Sequence, residues 1–466
     1  MPKEQLYRLA PRSPKPKRLG RLEGGDRIRR VIRTWWIWLA IAITAHLLGH
    51  WVMTVIGGIT AFFFYHTTPE RHPAVYALET DLNVESQEFP ITMTGMTGMP
   101  LVPGNKVAIF NNGDEFFPAM LDAIESAERS VTMEQYIFWE GDVGRRFAEA
   151  FAEKARSGVA VKLLLDAVGS STLGEPIVKI LEAGGCQLAW YRPIHWYTVI
   201  RANHRTHRKS VIVDGRIAFT GGAGLADHWL GTAEGSRSWR DVMIRVEGPA
   251  ALEQQSGFAQ SWLQSTGEIL TGHDYFPLPS PAGSVSVQTI LSSPFEGTGA
   301  AGTMHLIAIQ CARRHLYVAN PYFIPDARMI DMLLNACRRG VAVKLMVAGK
   351  HNDTWWARQN SVRLYGRLLA AGVEIFEFLP TMLHQKILMV DDAWASVGTA
   401  NFDNRSLALN EETSVCFHDR PLVTELCTAF LDDLERCERV TAAGWKRRGL
   451  WQRAGEQFAS LMEDQM

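Results

Sequence analysis

The segment GVAVKLLLD at residues 158–166 returns as GVAVKLMVA at 340–348, an offset of 182 residues. A chain that repeats a strand pattern at that distance has to accommodate two copies of one structural unit. A helical stretch precedes each copy (143–156 and 328–339), and before that comes a strand candidate, SVTMEQYIF or HLYVANPYF. Another helix follows each copy and ends in EAGGCQLAWY or AAGVEIFEF. Strand and helix patterns alternate, which predicts an α/β fold of two similar α-β-α sandwich halves with a mostly parallel sheet in each. The halves are expected at 105–275 and 276–440, joined through FPLPSPAGS at 276–284, with 67–104 as a linker.

A second pair of segments carries chemistry. THRKSVIVDGRIAFTGG begins at 206, and its counterpart LHQKILMVDDAWASVGTAN begins at 383. Both place His, one residue, Lys, four residues, Asp, six residues and Gly, at an offset of 177. Residues i and i+2 of a strand share a face, so His207 with Lys209 and His384 with Lys386 each set an imidazole beside an ammonium. Burying such pairs without an anion is costly, and their recurrence in a duplicated chain points to a bound anion rather than coincidence. Asp214 and Asp391 stand seven positions after their histidines, an odd number that turns them to the other face. They are read as turn-forming structural residues.

Charge and hydropathy narrow the surroundings. The chain has 48 Lys/Arg and 49 Asp/Glu; eleven and three of these fall in residues 1–34, leaving 37 bases against 46 acids in the rest. An acidic body is a poor match for long nucleic acid, and no nucleic-acid partner is expected. From Thr34 to His66 there is no Asp, Glu, Lys or Arg, and tryptophans cluster at one end with Phe62, Phe63, Phe64 and Tyr65 at the other. That pattern predicts a basic tail at 1–33 and an N-terminal transmembrane helix, or a membrane-inserted segment, at 34–66; a hairpin bending near Gly57-Gly58 is the alternative. The six cysteines have no CxxC or metal-ligand spacing and read as small apolar residues. The C-terminal segment 441–466 places Trp451, Ala454, Phe458, Leu461 and Met462 on one helical stripe near Lys446, Arg447, Arg448 and Arg453. Such an amphipathic helix suits either a membrane interface or packing on the body.

The paired motif resembles that of the phospholipase D superfamily, and the wider text is similar to its bacterial cardiolipin synthase branch. The similarity runs through NHRTHRKSVIVDGRIAFTGG, NPYFIPD at 320–326 and LHQKILMVDDAWASVGTANFDNRSLALNEE, and covers about residues 105–440. The resemblance implies one active site shared by both halves and a covalent phosphohistidine. Lys209, Lys386 and the Asn401 amide would then hold the phosphate oxygens while one imidazole attacks and the other protonates the leaving alcohol. His207 is taken as nucleophile and His384 as acid/base, although nothing in the spacing distinguishes the reverse. Aligning WRDVMIRVEGP (239–249) with NEETSVCFHDR (410–420) sets Asp241 opposite Glu412. In the family such carboxylates orient the imidazoles. The family's Asn is missing from the first motif, where Gly224 stands.

The resemblance implies an enzyme with phospholipid substrates, phosphatidylglycerol among them, at a bacterial inner (plasma) membrane, with the side of the catalytic body unassigned. The expected activity is a phosphatidyltransferase making cardiolipin from phosphatidylglycerol and a second phospholipid. Alternatives are a phospholipase D hydrolase releasing phosphatidic acid, a nuclease, and a membrane scaffold with a relic site. No metal site and no cofactor are expected. His204, Trp196 and Tyr197 are lesser candidates for contact with lipid, with a solvated loop or packing the simpler role.

Overall fold

The structure is a computed structural model and describes residues 32–67, 81–194, 204–294 and 299–465. Most of the basic tail, together with Trp196 and Tyr197, lies outside the described residues.

The two halves follow one plan. Outward from the centre, the first half orders its strands Val102–Asn111, Val242–Glu247, Ile217–Gly221, Ser210–Val213, Ser130–Gln135, Ala160–Asp166 and Gln187–Tyr191. The second half repeats that order with Val285–Ser292, Glu412–Phe417, Trp394–Gly398, Ile387–Val390, His315–Ala319, Ala342–Ala348 and Glu374–Phe378, and adds Cys437–Val440 at the edge. The innermost strands pair antiparallel, Val102 opposite Val287 and Asn105 opposite Val285, so the duplication closes into one 15-stranded sheet.

Only the three outer strands of each repeated set run parallel, linked by helices such as Asp142–Arg156 and Ala327–Arg338. The sheet is therefore mixed rather than mostly parallel. The reason is local: each His-x-Lys segment leads into a β-hairpin. Asp214 and Gly215 turn the first at φ +52° and +63°, and Asp391 and Asp392 turn the second at +54° and +53°. Those left-handed conformations match hairpin twist, and Asp tolerates them better than most residues do.

Helices cover both faces. In the first half Phe116, Phe147 and Phe151 pack on one side and Phe258 and Trp262 on the other. In the second half the corresponding layers hold Met329, Leu333 and Tyr365, and Leu426 and Phe430. The expected linker is not a plain spacer. Its residues Glu88–Thr97 form a helix whose Phe89 and Met93 are buried in the second half's core, Phe89 edge-on to Trp394 at 5.9 Å. The i, i+4 spacing of those two residues is what a one-faced helix requires.

The apolar N-terminal segment differs most from expectation. It forms two helices, Trp35–Leu47 and Trp51–Thr67. No helix of the described residues is long and apolar enough to cross a membrane. The break falls at Leu48–His50, where Gly49 takes φ +77° and the amides of residues 48–50 bond back to Thr44, His46 and Ala45. At about 1.5 Å per residue the two helices reach only about 20 and 26 Å, against a hydrocarbon core of about 30 Å. Gly57 is not the bend; a Cβ there would meet Ala42 at 3.0 Å, so it is where the two helices touch.

Candidate active site

The histidines, lysines and orienting carboxylates lie at the ends of central strands, beside the seam between the halves. His207 and Lys209 enter the strand Ser210–Val213, and His384 and Lys386 enter Ile387–Val390. Asp241 immediately precedes Val242–Glu247, and Glu412 opens Glu412–Phe417. The hairpin aspartates face away: Asp214 accepts the backbone amides of Glu128, Arg129 and Ser130 at 2.8–3.0 Å. Asp391 does the same for Arg313, Arg314 and His315 at 2.7–2.9 Å.

The two halves exchange partners. His207 of the first half has Nδ1 3.0 Å from both carboxylate oxygens of Glu412 in the second. His384 of the second half has Nδ1 2.8 Å from Oδ2 of Asp241 in the first. The backbone crosses in the same sense. The His207 amide donates to the Glu411 carbonyl at 2.9 Å, and the His384 amide to the Arg240 carbonyl at 2.8 Å. Short parallel bridges, Thr206 with Glu411 and Arg240 with Leu383, repeat the contact one residue earlier. Each imidazole is thus fixed through Nδ1 by a carboxylate on the opposite half, which leaves Nε2 for chemistry.

Four groups able to carry positive charge share this region. Lys209 Nζ donates to the His207 carbonyl at 3.0 Å, and Lys386 Nζ donates to the His384 carbonyl and lies 3.0 Å from His384 Nδ1. Burial, then the Lys386 ammonium, pulls Lys209 down to about 7. Burial likewise takes Lys386 to about 8 although Asp241 and Glu412 oppose it. Burial lowers His207 to about 4 against the pull of Glu412, and lowers His384 well below the ordinary range, with Lys386, Lys209 and His207 adding to the effect. Burial raises Asp241 to about 6, with the nearby Lys386 resisting. Burial also pushes Glu412 upward, but His207, Lys209 and Thr399 outweigh it and keep it below the usual carboxylate value. At neutral pH this leaves Glu412 anionic and His207 a neutral imidazole donating from Nδ1. A cluster of mutually repelling buried cations is what an anionic ligand relieves.

The missing asparagine has a steric explanation. A Cβ on Gly224 would meet Ile137 Cβ at 2.8 Å and the Trp229 ring at 3.1 Å. The Trp229 indole fills that space, lies 5.5 Å from the His384 ring, and donates Nε1–H to Asp241 Oδ2 at 2.9 Å. A Cβ at Gly222 would meet Asp241 Oδ1 at 2.2 Å, so the carboxylate needs a glycine there. At the equivalent position of the second half Thr399 stands, and its hydroxyl donates to Glu412 Oε2. The two carboxylates are therefore held by different donors, an indole in one half and a hydroxyl in the other. Asn401 is buried near the site, and its Oδ1 makes no hydrogen bond among the described residues.

Several supporting residues escape sequence reasoning. Tyr136 meets the His207 ring edge-on at 5.2 Å, and Tyr322 and Trp239 face His384 at 6.4 and 5.2 Å. Behind His207, Arg208 pairs with Glu411 at 3.0 Å, Arg205 with Asp166 at 3.3 Å, and Thr206 donates to Glu134. On the other side Arg240 pairs with Asp433 at 2.7 Å. Arg205, Thr206, Arg208, Arg240 and Glu411 stand next to motif residues in the sequence, but Glu134, Asp166 and Asp433 carry no such signal. His204 is half-buried, and its Nδ1 lies 3.1 Å from the Leu409 carbonyl of the other half. One group among the described residues has metal-ligating atoms in reach of one another, His315, Asp392 and Cys427, and it was not foreseen. His315 Nε2 already meets Asp392 at 2.9 Å, and the group lies outside this site.

Comparison with known proteins agrees with the geometry. The profile described as "Cardiolipin synthase, PLD-like domain" matches residues 120–262 and 306–434. A major cardiolipin synthase of Bacillus subtilis (strain 168) is 33% identical over 367 residues, covering 77% of this chain and 75% of that protein. Cardiolipin synthase 1 of Bacillus anthracis is 30% identical over 398 residues, 83% and 78% of the two chains. The phosphatidylserine synthase of Haemophilus influenzae Rd KW20 shares the fold, with a TM-score of 0.63 at 12% identity over 82% of this chain and 100% of that one. The chain is an enzyme of the phospholipase D superfamily and belongs to its bacterial cardiolipin synthase branch.

Proposed function

We propose that the protein makes cardiolipin by transferring a phosphatidyl group from one phospholipid donor to phosphatidylglycerol through a phosphohistidine. The crossed pairs, His207 with Glu412 and His384 with Asp241, carry this reading. His207 Nε2 forms a bond to phosphorus as the phosphorus–oxygen bond to the leaving alcohol breaks; His384, which takes up a proton when the bound phosphate charge offsets the burial and lysine charges that disfavour its imidazolium, supplies the proton that alcohol takes. Deprotonated His384 then accepts the proton of an incoming phosphatidylglycerol hydroxyl, whose oxygen displaces His207. Lys209, Lys386 and Asn401 bind the phosphate oxygens, and the phosphate charge restores the lysine protons that burial disfavours. The anionic Glu412 favours His207 as the nucleophile, because it stabilises the positive charge that grows on the attacking ring.

The apolar hairpin 35–67 supports attachment to a bacterial plasma membrane. Leu47, Trp51 and Ile59 are among its exposed residues, at 80%, 73% and 64%. Such a surface suits insertion into one leaflet.

The test is the full chain in detergent with labelled phosphatidylglycerol. Cardiolipin plus glycerol supports transfer, whereas phosphatidic acid assigns the enzyme to hydrolysis. His207→Ala and His384→Ala should each abolish turnover, and full activity in either rules out the shared site.

A further inference from the structure

We propose that the helix Leu450–Ala459, with Trp355 and Trp356, forms a membrane-docking surface that seats the His384 side of the active site on a bilayer carrying anionic phospholipid. The inference rests on the lipid-substrate reading above and adds where the body meets the bilayer.

The helix turns its apolar stripe outward. Glu456 and Ala459 face the body, with Glu456 paired to Arg448 at 2.6 Å and the Ala459 carbonyl accepting from Asn360 at 3.0 Å. Trp451 is 91% exposed, Leu450 81% and Phe458 58%. Of the stripe, Trp451, Ala454 and Phe458 are exposed, while Leu461 and Met462 are half-buried. Phe458 lies 5.3 Å from Trp356, which lies 5.2 Å from Trp355, and both tryptophans are themselves exposed. The result is one aromatic patch built from two helices.

Charge identifies the occupant. Lys446, Arg447 and Arg453 are exposed beside the patch, and none is ion-paired among the described residues. Two acids of this segment are engaged elsewhere: Glu456 is buried against Arg448, and Glu463 pairs with Arg363 at 2.8 Å. Exposed tryptophan with lysine and arginine alongside is the composition that binds the interfacial zone of an anionic bilayer. A partner protein groove would not by itself call for three unpaired cations.

The patch is also linked to the active site. Tyr322, facing His384, donates to Asp353 at 2.6 Å, and Asp353 lies two residues before Trp355 at the start of the helix Trp355–Ala370. Docking there brings lipid head groups to the His384 side, where the leaving and entering alcohols are handled.

Hydrogen exchange of the full chain in nanodiscs tests this. Nanodiscs of phosphatidylcholine with phosphatidylglycerol should protect the amides of 442–459 and 355–359 at least tenfold relative to detergent, and phosphatidylcholine alone should protect them less. Trp451→Ala with Phe458→Ala should remove that protection. It should also lower turnover on phosphatidylglycerol vesicles about tenfold, while turnover on dispersed short-chain phosphatidylglycerol stays within twofold. Equal exchange in detergent and in the anionic nanodisc overturns the proposal, as does protection in detergent that rises with protein concentration, the mark of a second copy. Exchange reads docking even if the enzyme forms no cardiolipin, so failure of the lipid reaction and failure of the docking surface remain distinct.

Discussion

Trp229 and Asp241 are joined by one hydrogen bond, indole Nε1 to carboxylate Oδ2 at 2.9 Å, and that oxygen is the one His384 Nδ1 meets at 2.8 Å. The tryptophan stabilises the anionic form of a carboxylate that burial, even against this bond, raises to about 6. It also occupies the room that an asparagine at Gly224 would need. The first motif has thus given up an amide and gained an indole in support of its partner's acid/base.

Trp229→Phe keeps the ring beside Gly224 and removes only the donor. Asp241 should then hold its proton to higher pH, so the acidic limb of kcat/KM moves upward by about half a unit to one unit, and kcat falls about tenfold. Trp229→Ala should in addition lower Tm, because emptying a fully buried indole site costs about 3–5 kcal/mol. An unshifted acidic limb in the phenylalanine variant would show that Trp229 only packs.

Glu412 holds His207 from the opposite half through both oxygens and is itself anchored by the Thr399 hydroxyl. Glu412→Gln preserves shape but removes the charge that balances an imidazolium, and kcat should drop by about 10³–10⁴, as in hydrolytic triads that lose their carboxylate. Thr399→Val leaves Glu412 ionised with one bond fewer, a loss of about 1 kcal/mol or about fivefold in kcat. Steady-state kinetics on both variants checks the order; a valine variant as weak as the glutamine one would mean that Thr399 touches substrate.

The repeat was legible because strands and helices obey fixed periods, and the recurring His-x-Lys made the two motifs visible despite 177 intervening positions. The crossed pairing was not, because spacing along a chain carries no record of which half a strand end faces. The same limit hid Trp229, whose importance arises from contact with Gly224 and Asp241 rather than from any motif. The apolar run at 34–66 reads as one crossing or as a hairpin bending near Gly57-Gly58; a hairpin forms, with its bend at Gly49 instead. Hydropathy measures composition, and a single left-handed Gly49 is enough to fold a long apolar segment back on itself. The parallel-sheet expectation failed at the hairpins, where Asp214-Gly215 and Asp391-Asp392 were recognised as turns without following the antiparallel pairing that those turns impose.

Those hairpin aspartates should matter for folding rather than chemistry. Asp391 accepts three backbone amides and holds φ +54°, so Asp391→Ala loses both the acceptor and a residue suited to that conformation. The cost should be about 2–4 kcal/mol, read as a lower Tm or denaturant midpoint. Asp391→Asn, which keeps an acceptor and tolerates the backbone, should lose about half as much. In both, kcat per folded enzyme should remain within about threefold of wild type, the behaviour of sites remote from the reacting groups.

The lysine pair sets the alkaline side of the pH profile. Lys209 titrates at about 7 and Lys386 at about 8, both below the ordinary lysine value of 10.5. Between those values and 10.5 the unfolded chain holds protons that the free folded enzyme has released, so these two groups make stability rise with pH across that window. Phosphate binding works in the opposite direction, because only the protonated ammoniums bind the anion. Catalysis should therefore fall above about pH 7 in kcat/KM, more steeply above about pH 8, and substrate binding near pH 8 should take up about one proton. Calorimetry of a non-reactive phosphodiester in buffers of different ionisation enthalpy measures that uptake. Lys209→Arg supplies a charge that does not titrate in this range, so the alkaline limb should move upward and the uptake should shrink. A limb left in place by that substitution would assign it to another group and separate Lys209 from phosphate binding.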